Sequence, residues 1–114
     1  MIYWKLHIGD WSKSTVHLSP TDVGCYIRLL NYYYEKEAPL PVSWDQLFRI
    51  CGSTTAAERT SVRRVATEFF VDHSDGWYHD RANIEIAKAH AKSESRAAAA
   101  EARWGRQLAA GRVK

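Results

Sequence analysis

A chain of 114 residues has room for one domain and an appendage, and with 46% hydrophobic and 12% aromatic residues it can fill a core without metal or disulfides. No run approaches the ~20 apolar residues of a membrane span, and the N-terminal MIYWKLHIGDW is broken by Lys5, His7 and Asp10 where a signal peptide is uninterrupted, so a cytoplasmic protein without membrane contact is expected. The net charge of +3 is uneven: residues 1–80 hold 8 Lys+Arg against 10 Asp+Glu, net −2, and residues 81–114 hold 8 against 3, net +5.

Along the chain, STVHLS (Ser14 to Ser19) reads as a short strand. SPTD then opens a helix over about 20–37: Ser19 caps the free amides, Pro20 suits the first helical position, and Asp22 favours the positive end of the dipole. Its apolar stripe is Val23, Tyr26, Ile27, Leu30, Tyr33 and Tyr34, which leaves at most Tyr32 of the NYYY run outside the core. Pro39 and Pro41 in APLP stop it. SWDQ (Ser43, Gln46) and TAAE (Thr55, Glu58) read as capping boxes for helices over about 43–51 and 55–69. Gly52 ends the first of these, so the two are joined at a helix-turn-helix spacing. Cys25 and Cys51, with no CxxC spacing, read as small buried hydrophobes within helices.

After the third helix, FFVDH and WYHD flank Ser74, Asp75 and Gly76, the signature of a tight hairpin. A lone hairpin is marginal in water, so the STVHLS segment is expected to add a third strand. From Asp80 onward the composition is helical, with Ile84, Ala87 and Ala91 as a narrow docking stripe. Gly105 and Gly111 are expected to end this helix, with fraying near Trp104. The expected fold class is mainly α with a small β-hairpin or three-stranded sheet: a winged helix-turn-helix over residues 1–80 with a basic, Ala-rich helical extension over 81–114.

The ordered series HIGDW, T.HLS, GCY..LL..YY, PLP, L.RIC, ER..V, FF, DGW.H.R, EIAK and ARWG covers about residues 2 to 105. It resembles the YdaU-like domain of phage and prophage replication-initiation proteins and, more distantly, the winged-helix N-terminal domain of DnaD-type replisome organisers. The resemblance implies a phage or prophage origin and a role at replication initiation through DNA binding, helicase loading or both. Many members of that family continue into a longer C-terminal region, so this module is expected to work through a partner.

Two basic surfaces are candidates for nucleic acid. On the third helix, Arg59, Thr60, Arg63, Arg64 and Thr67 span an arc of roughly 140° opposite Val62, Val65, Ala66 and Phe69. In winged helices this face enters the major groove, where arginine meets guanine or phosphate. On the tail helix, Arg81, Lys88, Lys92, Arg96, Arg103 and Arg106 fall within roughly 80°, with Glu94 and Glu101 on the other side and Glu85 intruding. Trp104, in ARWGR, and Trp11 are candidates for a protein partner or, for Trp104, a base. The hairpin holds no lysine or arginine between Phe70 and Asp80, so it is expected to close the core around Trp77 rather than grip a backbone.

No GxSxG, Walker loop, or Cys/His pairing in a motif context is present, and the histidines lack metal spacing, so no enzyme activity, metal or cofactor is expected. The expected function is DNA binding in phage-type replication initiation. The alternative is a protein-interaction module that contacts a host or phage replication protein such as a helicase, pairs into a homodimer, or inhibits a host nucleic-acid enzyme.

Overall fold

Capping chemistry starts two of the helices as the sequence suggests. Ser19 accepts from the Asp22 amide at 3.1 Å while the Asp22 carboxylate accepts from the Ser19 amide at 3.3 Å, and Thr55 and Glu58 form the second reciprocal pair. These caps open α2 (Pro20–Lys36) and α4 (Ala56–Phe69). Between them lies α3 (Trp44–Cys51), where Ser43 takes the N-cap position without a side-chain hydrogen bond, so SWDQ is not the capping box its spacing suggests. Gly52 closes α3 in the left-handed conformation, at φ 69°. Two three-residue strands, β1 (Val71–His73) and β2 (Gly76–Tyr78), follow, and then α5 (Asp80–Val113). The computed structural model describes the backbone of residues 4–113 and the side chains of residues 4–105.

The architecture is mainly helical with one small antiparallel hairpin. One expected strand is absent. Ser14 and Thr15 belong to a helix, α1 (Ile8–Thr15), and Val16 and His17 lie in the turn after it. The reason is visible in the packing: Trp11 stacks on Tyr26 at 5.1 Å, and the Thr15 hydroxyl, one turn on, donates to the Trp11 carbonyl at 2.7 Å. A strand would place Trp11 and Thr15 on one face about 13 Å apart and break that turn. The hairpin finds its third partner elsewhere. Leu40 donates to the Trp77 carbonyl at 2.9 Å and accepts from the Trp77 amide at 3.0 Å, a single bridge supplied by the segment that Pro39 and Pro41 hold extended.

Gly76 makes that bridge possible. The register pairs His73 with Gly76, so Ser74 and Asp75 form the two-residue loop, and a Cβ on Gly76 would lie 2.4 Å from the Leu40 carbonyl oxygen. The core beneath is aromatic and aliphatic: Leu29, Tyr33, Leu40, Leu47, Val62 and Val65 are fully buried. Full burial of each such aliphatic side chain contributes about 1.5–3 kcal/mol before entropy is counted. Cys25 and Cys51 are buried free thiols, the Cys51 Sγ lying 3.6 Å from the Cys25 carbonyl. Burial pushes the Cys51 thiol up to about 12, so both behave as small hydrophobes.

Among the described residues, only the first turns of α5 touch the body. Ala82 is buried and Ile86 packs against the core, whereas Ile84 is 55% exposed and Ala87 and Ala91 are also exposed, so the docking stripe is not the expected one. Polar contacts set this register: Tyr33 Oη donates to Asn83 Oδ1 at 2.5 Å, and the Ala82 amide donates to His79 Nδ1 at 3.1 Å. The helix also continues through Gly105 and Gly111 rather than ending at either. A run rich in alanine, arginine and glutamate offsets the roughly 1 kcal/mol that each interior glycine costs.

Candidate nucleic-acid interface

The exposed face of α4 is where the sequence places its first basic surface, and its three arginines stand in three different environments. Arg59 is exposed and, among the described residues, has no ion pair, ring or hydrogen-bond partner on its side chain. Arg63 lies over the Trp44 ring at 4.8 Å and the Phe48 ring at 5.3 Å. Stacking engages the face of a guanidinium and leaves its in-plane N–H groups for an acceptor. Arg64 is committed inward: its Nη1 donates to both carboxylate oxygens of Asp22, at 2.9 and 2.8 Å, and Asp22 is 2% exposed. Burial alone would push the Asp22 carboxyl up, but hydrogen bonds from Ser61, Arg64 and the Ser19 backbone outweigh it and hold it below its ordinary 3.8. Arg64 thus differs from Arg59 and Arg63 in holding a buried carboxylate through one guanidinium nitrogen, with its side chain still 52% exposed; an uncompensated buried carboxylate is costlier than an unused surface cation. Thr60 donates its hydroxyl to the Ala56 carbonyl at 3.0 Å, and Thr67 is exposed.

The hairpin beside α4 adds no positive charge. Its loop carries Asp75, bonded by the Tyr78 hydroxyl at 2.6 Å, and its strand carries Asp72. Trp77 is buried at 6% exposure against Trp44, so the hairpin closes the core.

The α5 helix is different. Lys88, Lys92, Arg96 and Arg103 are all exposed, and among the described residues none has an ion pair or hydrogen bond. At 1.5 Å per residue they span about 22 Å of helix within an arc of roughly 80°. The side chain of Arg106 lies outside the described residues. Arg81, at the start of the same row, pairs with Asp10 of α1 at 3.2 Å, and Glu85, which intrudes on the row, is held by His7 at 3.3 Å. Both contacts tie α1 to the root of α5 and end the free row at Lys88.

Of the aromatic candidates, Trp104 stands 65% exposed on α5, while Trp11 is half-buried on Tyr26. Trp4 likewise stacks on Tyr34 at 5.0 Å and donates its indole N–H to Asn31 at 2.7 Å. Trp4 and Trp11 thus cover the tyrosine face of α2, and Trp11 is not the free partner contact its composition suggests. A cavity of about 50 Å³ between them, bounded by Tyr26, Tyr34, His79 and Arg81, has room for a few waters at most and is too small for a nucleotide. The histidines do not gather either: His17 pairs with Glu68, His90 with Glu37, His73 meets Tyr78 edge-on, and His79 bonds Tyr26 Oη at 3.0 Å. Among the described residues no group of three or more His, Cys, Asp or Glu is placed to hold a metal ion, and no helix is long and apolar enough to cross a membrane.

A small helical body with a hairpin closed onto the core through Trp77 and a cationic arm is the class these features define. The chain belongs to the family described as protein of unknown function DUF1376, whose model matches residues 2–87. It is similar to the uncharacterized protein YdaU of Escherichia coli (strain K12), at 32% identity over 101 residues, which covers 88% of this chain and 34% of that protein. The chain therefore spans about a third of the length of that curated relative. No solved structure matches. The family match ends at residue 87, just before the row of free cations begins at Lys88.

Proposed function

We propose that this protein is a DNA-binding module of the phage and prophage replication-initiation type, in which a winged-helix body holds out a basic arm. In this reading α3, the turn at Gly52 and α4 form the helix-turn-helix, β1 and β2 form the wing, and α5 is the arm. The observation that carries it is the row of unpaired cations at Lys88, Lys92, Arg96 and Arg103 on a helix otherwise without bulk to bury. Opposing carboxylates would neutralise a merely solvated face, yet Glu94 and Glu101 lie on the other side of the helix. Arg59 and the ring-stacked Arg63 extend the positive surface onto α4, and Arg64, held by Asp22, takes no part.

The mechanism is electrostatic docking with counterion release. About four neutralised phosphates make log K fall against log[salt] with a slope of roughly −3 on a single strand to −4 on a duplex. Replacing Lys88, Lys92, Arg96 and Arg103 together by alanine tests the reading at fixed salt, because alanine preserves the helix while removing the charge. Affinity for a labelled oligonucleotide is expected to drop at least about 100-fold; an unchanged affinity contradicts the reading.

A second reading, a module that contacts a host or phage replication protein such as a helicase or pairs with a second copy, is favoured by the acidic body and by a wing that carries Asp72 and Asp75 without lysine or arginine. It predicts a complex with such a protein that survives nuclease treatment and is lost on Trp104→Ala.

A further inference from the structure

We infer that the α5 arm takes single-stranded DNA, with the phosphates along the cationic row and a base on Trp104; this deepens the proposed DNA binding and rests on it. The arm is one-sided. An α-helix with its side chains is about 10–12 Å across and fills a major groove about 12 Å wide, so phosphates of both strands flank it. A groove-inserted helix meets negative charge on two sides. On α5 the cations occupy one arc, and Glu94 and Glu101 lie roughly 160–180° around the helix from its centre. Insertion into a groove would bring those carboxylates to the second wall of phosphates. A single backbone laid along the cationic row avoids them altogether.

Trp104 follows Arg103 by one residue, hence about 100° around the axis, and its indole is 65% exposed. A nucleotide whose phosphate rests on Arg103 can turn its base around the helix onto that ring. In a duplex the base is already stacked on its neighbours and the indole gains nothing without prying them apart. In an unpaired strand the π-face is free, and base–aromatic stacking of this kind is the recurrent device of single-strand binding surfaces. The hairpin of the body offers Asp72 and Asp75 instead of cations, and Arg64 of α4 is held by Asp22, so the elements that grip duplex DNA in a winged helix are poorly supplied.

The test is fluorescence anisotropy of the full chain with a labelled oligothymidylate and with a duplex of equal length over a series of salt concentrations, the two compared at equal salt, repeated on Trp104→Ala. The single strand is expected to bind at least about 10-fold more tightly, and Trp104→Ala is expected to lose about 10-fold or more on the single strand alone, with its salt slope unchanged. Because Trp104 stands on the exposed arm, the thermal transition of the variant is expected to match that of the parent. Equal or tighter duplex binding, or a Trp104→Ala variant that binds the single strand as the parent does, overturns the inference while leaving a steep salt dependence, and so the DNA-binding reading, intact. Absence of binding to either oligonucleotide overturns both.

Discussion

Asp22 shows how one side chain can serve two structures at once. It closes the capping box of α2 and anchors Arg64 of α4, and at 2% exposure it joins the two helices that form the centre of the body. Arg64→Ala leaves a buried carboxylate with fewer donors and is expected to lower stability by about 1–2 kcal/mol in urea unfolding while leaving DNA affinity nearly unchanged. Arg59→Ala is expected to do the reverse, and identical behaviour of the two variants would refute the separation. His79 is the second decisive residue. Its Nδ1 must stay unprotonated to accept the Ala82 amide that begins α5, and burial lowers its pKa below the ordinary 6.5. The unfolded chain therefore binds this proton first. The contribution of His79 is complete above about 6.5 and shrinks as pH falls from there through the lower folded value. His79→Asn keeps a cap acceptor that does not titrate, so its urea midpoint is expected to vary less between pH 7 and pH 5 than that of the parent; an equal slope in both would show that the acid sensitivity lies elsewhere.

The elements divide by how local their causes are. The ends of α2 and α4, the glycine stop of α3 and the hairpin were legible because each depends on residues within a few positions: Ser19 and Pro20, Thr55 and Glu58, Gly52, and the Asp75-Gly76 pair. The segment before Ser19 was not. Polar and β-branched, it reads as a strand by itself, but Tyr26, more than ten residues on, draws Trp11 into a helix. The docking face of α5 was missed for a similar reason. Ile84 and Ile86 are equally apolar, and what selects Ile86 is the hydrogen bond from Tyr33 to Asn83 and the cap from His79, both long-range or positional. Within the candidate site, the α5 row could be read from charge and helical period alone, whereas the capture of Arg64 required knowing that α2 and α4 cross at Asp22. One substitution probes the hairpin directly. Gly76→Ala forces a Cβ to within 2.4 Å of the Leu40 carbonyl oxygen, and it is expected to destabilise the fold by about 2 kcal/mol or more, seen as a lower thermal midpoint. An unaltered midpoint would mean that the Leu40 bridge contributes nothing.

At the scale of the molecule, charge and packing separate along the chain. The body carries the core and a net −2 over residues 1–80; the arm carries net +5 over residues 81–114 and, among the described residues beyond Ile86, packs against nothing in the core. The cationic row of the arm and the packed core are thus held by different residues. Ending the chain at Ala91 keeps Ala82, Ile86 and the His90 contact to Glu37, so the truncated protein is expected to unfold at a midpoint close to that of the intact one. The same cut removes Lys92, Arg96, Arg103 and Trp104. The salt dependence of DNA affinity, measured side by side on the intact and truncated chains, tests the central claim most directly. The account predicts a log–log slope of roughly −3 to −4 for the intact chain and a slope shallower by about 2 or more for the truncated one. A flat dependence in the intact chain, or one steep and equal in both, would contradict it.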